Sequence, residues 1–289
     1  MSIYLDNAAT THLDPKVFEA MKPYMLEFHG NPSATHAHGR QVKAAIETAR
    51  KTVAQLLNAS PLEIYFTSGG TEADNTFLKG CVEAHGIKHA ITAPTEHHAV
   101  LHTLEHMQSQ GLLELHLVDV DEKGNISMES LEKLLSSYPK SIVSLMHGNN
   151  EIGNLIDLEA VGTLCKNHEA IFHSDTVQTI GHFPLDLSAL PIQGIAASGH
   201  KFHGPKGTGF MYVEKDLALA SFIHGGGQER RMRGGTENVY GIIGIAKALE
   251  LACAEMAETR SHIEGLKQRM ISGLTETFTD IAFNGKSAI

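Results

Sequence analysis

The sequence predicts a three-layer α/β fold on a mostly parallel sheet, followed by a smaller domain that has only begun. Three observations carry this. Short β-type runs alternate with amphipathic helical runs from about residue 40 to residue 215. Residues with chemical character gather directly after the β-type runs, where open parallel sheets bind ligands. From Thr236 to about Thr277 the alternation gives way to one long helical stretch rich in Ala, Leu, Glu and Met.

The elements follow in order. Gln41–Leu57 places Ala45, Ile46, Ala49, Val53, Leu56 and Leu57 on one helical face. Glu63–Thr67 is a short β-type run, then come Gly69-Gly70 and a helix from Thr71. His89–Ala93 reads as strand, Ala99–Gln110 as helix, Leu113–Val118 as strand and Met128–Ser136 as helix. Ser141–His147 is a strand and Leu158–Cys165 a helix, and Ala170–Ser174, Gly194–Ser198 and Gly209–Val213 are further strands. Asp280–Asn284 has the pattern of one more strand. The expected organisation is an N-terminal arm over residues 1–14, a large domain over 15–250 and the start of a small C-terminal domain over 251–289. No internal repeat or low-complexity tract interrupts it.

Composition narrows the function classes. Apolar residues make up 42% and charged residues 19% of the 289, enough for a sizeable core. The formal charge of −10 disfavours nucleic acid or an anionic membrane as partner. No apolar run approaches the roughly 18 residues of a membrane span. Cys81, Cys165 and Cys253 are widely spaced and form no CxxC pair, which fits a reducing, cytoplasmic setting and three buried small hydrophobes. The opening Met1–Asp6 run lacks a basic segment followed by an apolar one, so no signal peptide is expected.

Lys201 is the most informative residue. It lies in Ser198-Gly199-His200-Lys201-Phe202-His203-Gly204, just after the largely apolar Ile192–Ala197. A partly desolvated lysine near other donors has a lowered pKa and can form a Schiff base with an aldehyde, of which pyridoxal phosphate (PLP) is the obvious candidate. Asp175, at the end of a strand, can keep a pyridine nitrogen protonated and so make the ring an electron sink, or can simply cap a helix. It precedes Lys201 by one excursion and one strand, which could put both on neighbouring strand ends. Ser68-Gly69-Gly70-Thr71-Glu72, between a strand and a helix, suits a phosphate as well as it suits a plain capped turn. His97, in Pro94-Thr95-Glu96-His97-His98-Ala99, could stack on a flat cofactor or move protons.

Other patterns carry less. His98, His102 and His106 share a helix face, but HExxH is absent and a solvated face is the better reading, so no metal is expected. Gly199-x4-Gly204 is followed by Pro205 where a Walker A loop needs lysine, and no GxGxxG follows a strand. The glycine- and arginine-rich run His224–Asn238, with Arg230, Arg231 and Arg233, suits a loop reaching an anion, including one across a dimer interface, with a flexible solvated loop as the alternative.

Together these pieces resemble the cysteine desulfurases of the iron–sulfur assembly type, in the class V aminotransferase group of fold-type I PLP enzymes. The likeness spans essentially the whole chain. It runs through Tyr4-Leu5-Asp6-Asn7-Ala8-Ala9-Thr10-Thr11, Gly30-Asn31-Pro32-Ser33, Ser68–Glu72, Thr95–Val100, Asn149-Asn150-Glu151-Ile152-Gly153, Asp175–Gln178, Ser198–Lys201 and Arg233–Thr236. The resemblance implies a PLP-transferase fold. It implies that Lys201 carries the cofactor and shuttles the proton, that His97 stacks on the ring, and that Asp175 pairs with its nitrogen. Gln178 would bond the phenolic oxygen and Asn150 would contact the ring near the substrate. Gly70, Thr71, Ser198 and His200 would hold the phosphate. Thr236 would reach the phosphate of a partner subunit in a homodimer. The implied reaction moves sulfur from L-cysteine to an enzyme cysteine, leaves L-alanine, and passes sulfur to an iron–sulfur scaffold or other acceptor protein.

The family's sulfur-accepting cysteine and carboxylate-binding arginine lie beyond Ile289. The chain is therefore expected to be truncated, and to bind PLP without completing turnover. Gly148, where a bulkier apolar residue is usual, and Thr176-Val177 are smaller departures. Another class V enzyme (a selenocysteine lyase or an aminotransferase) and a non-catalytic PLP-binding dimer scaffold are the alternatives.

Overall fold

The computed structural model describes residues 3–285. Its strands are β1 (Ile64–Thr67), β2 (His89–Thr92), β3 (Glu114–Leu117), β4 (Ile142–Ser144), β5 (Ile171–Asp175), β6 (Gly194–Ser198) and β7 (Gly209–Val213). They form one seven-stranded sheet in the order β1-β7-β6-β5-β4-β2-β3. β7 runs antiparallel to both β1 and β6, and the remaining pairs are parallel. All strands except β7 therefore end at the same edge of the sheet.

The helices are α1 (Pro15–Leu26), α2 (Ala37–Leu56), α3 (Gly70–His85), α4 (His98–Ser109), α5 (Met128–Ser137), α6 (Leu158–Asn167) and α7 (Val239–Thr277). Local chemistry sets their starts. Ser127 accepts the Ser130 amide, Asp157 accepts the Ala160 amide, and Asp14 with Pro15 opens α1. α1 was not anticipated as a helix. It buries only Val17 and Met21, too thin a stripe to show as periodicity, although the Asp14-Pro15 cap was readable.

Strand alternation divides the core into two faces. Ile91, Val143, Ile195, Ala197, Phe210 and Tyr212 point to one side, where residues of α1, α2, α5, α6 and α7 pack. Ala90, Ile142, Ala196, Met211 and Val213 point to the other, against α3 and α4. This is the expected three-layer arrangement. α3 lies unusually close to the sheet: a Cβ on Gly194 would come within 2.0 Å of the Phe77 ring. That glycine lets the middle of α3 settle against the start of β6.

One expectation needs correction: Asp280–Asn284 is not a strand, and no neighbouring strand among the described residues offers it a ladder. The glycine- and arginine-rich run is held to the sheet at Glu229 and Arg230. Glu229 in it is buried and takes a two-pronged ion pair from buried Arg50, with contacts of 2.7 and 2.8 Å. The same carboxylate accepts the Phe66 amide at 2.8 Å. Arg230 donates to the carbonyls of Leu62 and Ile64 and lies over the Tyr65 ring. Glu229, Arg230 and Arg231 hold φ values of 42°, 55° and 71°, a left-handed run that the buried pair pins in place.

α7 continues unbroken through residues 250 and 251, and its buried residues end at Leu249. No helix among the described residues is long and apolar enough to cross a membrane.

Removing one partner of a buried pair strands the other charge. Glu229→Ala is expected to lower unfolding free energy by about 3–5 kcal/mol. Breaking the exposed Lys22–Glu19 pair by Lys22→Ala should change it by less than about 1 kcal/mol. Urea titration followed by circular dichroism measures both.

Candidate active site

Five loops at the common strand edge converge. The first follows β1, where Gly69 adopts φ 154° and ψ −178°, a conformation essentially restricted to glycine. It opens α3 with no side chain capping the helix start, so first-turn amides face outward with the positive end of the helix dipole. Glu72 braces this loop. It accepts the Ser68 amide at 2.9 Å and the Arg233 guanidinium at 2.9 and 3.2 Å. Burial pushes the Glu72 carboxyl up, but these bonds outweigh it and hold it below the usual range.

β5 and β6 supply the centre. They pair in parallel, with Asp175 opposite Ala196, and the β6 chain turns immediately through Gly199–Lys201. Asp175 and Lys201 thus leave adjacent strands at the same edge. Asp175 is buried, and one carboxylate oxygen accepts the Val177 amide at 2.9 Å. Burial raises its pKa, while that amide, His97 and Lys201 draw it back. Burial lowers the pKa of Lys201, against an upward pull from Asp175 and Asp6. The lysine amine donates to the backbone carbonyls of Ala8 and Ala9 in the N-terminal arm, and among the described residues it makes no ion pair.

The other expected residues join them. His97 caps α4 after β2; its Nδ1 accepts the Ala99 amide at 3.1 Å, so the neutral ring carries its proton on Nε2. Asn150 follows β4 and donates to Glu151 Oε1 at 2.7 Å. Gln178 Nε2 donates to Ala8 O at 3.0 Å, and His200 Nδ1 meets Thr10 Oγ1 at 3.1 Å. Gly70, Thr71, His97, Asn150, Asp175, Gln178, Ser198, His200 and Lys201 all line one cleft of about 640 Å³. Thr236 does not. It lines a separate cavity of about 140 Å³ with Ser68 and Arg233.

The sequence reading missed the layer beneath. Asp74, on the buried face of α3, also lines the cleft. Its carboxylate lies 3.6 Å from His173 Nε2, and neither group has a hydrogen-bond partner there. Burial, then Asp175 and Glu96, hold the Asp74 carboxyl well above its usual range. Burial takes His173 down to about 3, so the contact is neutral rather than an ion pair. Glu96, also buried, accepts the Met146 amide at 2.7 Å and is likewise held high by burial. A carboxyl within the apolar stripe Ala73-Phe77-Leu78-Cys81 was the available signal.

Two of the three cysteines are buried as expected of small hydrophobes. Cys81 and Cys165 are buried and Cys253 is half-buried, each on a helix. Burial raises all three thiols, Cys165 to about 12, and none lines the cleft. His98, His102 and His106 lie on an exposed helix face, the first two rings stacked at 4.4 Å. The departures at Gly148 and Val177 have packing reasons. A Cβ on Gly148 would come within 2.5 Å of Thr179, and one on Gly70 within 2.5 Å of Val177.

The family model Aminotransferase class-V matches residues 3–288. The chain belongs to that family. Among class-V relatives, a cysteine desulfurase IscS of Methanosarcina thermophila is 45% identical over 94% of this chain and 68% of its own length. One from Clostridium botulinum (strain Hall) is 41% identical over 98% of this chain and 71% of its own. A solved NifS-like protein superposes with a TM-score of 0.92 at 41% identity, covering 96% of this chain and 76% of that one. Class-V aminotransferases and cysteine desulfurases are PLP enzymes.

The residues present fit that cofactor. The cleft has the size of a small-ligand site. Open helix amides suit its phosphate. Three buried carboxyls, Asp74, Glu96 and Asp175, favour a cationic ring nitrogen over a neutral one.

Gly70→Ala is expected to destabilise the chain by about 1–3 kcal/mol through overpacking. Adding Val177→Ala, which removes the clashing methyl, should recover most of that loss in urea unfolding.

Proposed function

We propose that this chain is a PLP-dependent cysteine desulfurase, taking sulfur from L-cysteine and leaving L-alanine. The single observation that carries this reading is that Asp175, at the end of β5, and Lys201, in the turn directly after the parallel neighbour β6, line one cleft that ends on the open start of α3.

The cofactor supplies an electron sink for charge that develops at the substrate's α-carbon. Lys201 would be the point of covalent attachment, and its amine, once free, would take the substrate's α-proton. The desolvation that lowers its pKa keeps more of it in the neutral, basic form. Asp175 would hold a proton on the ring nitrogen, with Asp74 and Glu96 buried nearby. His97 would cover the ring, Gln178 and Asn150 would orient it, and Gly70, Thr71, Ser198 and His200 would bind the phosphate.

Sulfur leaves when a thiolate attacks the substrate sulfur. The Cβ–S bond breaks, its electron pair stays with the carbon framework, and a persulfide forms. One proton delivered to Cβ and the α-proton returned to Cα by the Lys201 amine would complete alanine. Cys81, Cys165 and Cys253 are poor acceptors, because their thiols are raised by burial and stand away from the cleft. The acceptor thiol comes from outside these three. An iron–sulfur scaffold or another acceptor protein is the onward partner. We also place Thr236 at the phosphate of a second copy, since it stands apart from the cleft of its own chain.

Purified protein is expected to be yellow. Borohydride should fix PLP to wild type and not to Lys201→Ala. The three cysteines leave the chain without an acceptor of its own, so turnover is expected only when one is added: with L-cysteine and excess dithiothreitol standing in for that thiol, alanine and sulfide should appear in equal amounts. PLP fixed equally to Lys201→Ala, or no alanine, would overturn the reading. The neutral amine is the reactive form. PLP capture by the apoprotein should therefore rise with pH and level off below the ordinary lysine value of 10.5, which stopped-flow absorbance can follow.

A further inference from the structure

At the β3 edge of the sheet lies a side-chain cluster that the cleft does not use. His89 opens β2, at the opposite end of that strand from the loop carrying His97. Its register partner on β3 is Glu114, and His116 lies two residues further along β3. All three side chains therefore share one face. His89 Nδ1 is 3.2 Å from His116 Nε2 and 3.7 Å from Glu114 Oε2. One ligand atom from each residue lies within 4.8 Å of the others. Tyr138, just after α5, covers the pair. Its ring stacks on His116 at 3.7 Å and 15°, and its centroid is 4.8 Å from that of His89.

Two imidazole nitrogens aimed at each other cannot both carry protons. A hydrogen bond uses one N–H and one lone pair, whereas a metal ion uses both lone pairs. Zinc binds imidazole nitrogen at about 2.0–2.1 Å in tetrahedral geometry, which sets neighbouring ligand atoms roughly 3.3–3.4 Å apart. The observed separations of 3.2 and 3.7 Å bracket that value. The Glu114 side chain is 72% exposed and free to close the longer one. Two imidazoles and a carboxylate, with one position open to water, are a donor set suited to zinc-type ions.

We propose that His89, Glu114 and His116 form a binding site for a zinc-type divalent ion that ties the edge strand β3 to β2. Water fills the fourth position. The ion stabilises an exposed strand that, among the described residues, has a neighbour on one side only. The site is remote from the cleft, so its failure would leave the desulfurase reading untouched.

Isothermal titration of the chelator-treated holoenzyme with zinc chloride tests this, alongside His89→Ala, His116→Ala and Glu114→Gln. The wild type should show one zinc per chain in its tightest class. Each histidine variant should bind that zinc more than about tenfold more weakly, and Glu114→Gln should weaken it by a smaller factor. Zinc should raise the melting temperature of the wild type and not of His116→Ala. Equal affinity and stoichiometry in the wild type and both histidine variants would overturn the site. The facing rings would then be a hydrogen bond, with zinc held elsewhere among the 19 histidines. If the histidine variants fold poorly, Glu114→Gln decides. Its exposed side chain is not needed for folding, and unchanged affinity there would also overturn the proposal.

Discussion

Everything in the cleft depends on β5 and β6 lying side by side and pointing the same way. That pairing, with Asp175 opposite Ala196, is what makes an acid and a lysine 26 positions apart in sequence into near neighbours. The bond ladder fixes their relative height, and apolar packing on both sheet faces fixes the strands. Close approach of α3, permitted by Gly194, then carries the open helix start to the same place. A one-residue slip in β6 would turn its side chains to the opposite faces and shift the Lys201 turn along the edge.

The electrostatic character of the cleft follows from what is buried around it. Asp74, Glu96 and Asp175 share a region with few compensating cations, and burial raises all three carboxyls. Such a site is costly for the chain alone and becomes favourable when positive charge enters. The lysine amine, meanwhile, rests on backbone carbonyls of the N-terminal arm rather than on a carboxylate. It can exchange those weak partners for a covalent one without breaking an ion pair. Arg50 and Glu229 play the contrasting part. Their buried pair is fully matched in charge and bonded to the Ile64 carbonyl and Phe66 amide, so it anchors structure rather than chemistry.

Much of this was legible in the sequence because the signals are local. Gly194–Ser198 and Gly209–Val213 are bounded by turn residues and fall where the composition put them. The cleft residues sit just after strands, and strand ends could be read from apolar runs. What escaped was long-range or weakly patterned. Arg50 and Glu229 are 179 residues apart, and nothing in either segment names the other. Asp74 looked like one more polar position on α3, when it is buried on the sheet-facing side. α1 lacked a broad apolar stripe, and the run Asp280–Asn284 had β character but no ladder to join. Membership of the class-V aminotransferases agrees with the local reading, since the motifs that carry the resemblance are the strand-end loops themselves.

The central claim is that Asp175 keeps a proton on the ring nitrogen of a cofactor attached at Lys201. Nitrogen-15 NMR of the chain loaded with ring-labelled PLP addresses it directly. The account predicts the chemical shift of a protonated pyridine in wild type, moving to that of an unprotonated ring in Asp175→Ala. An unprotonated ring in the wild type, indifferent to Asp175→Ala, would contradict it.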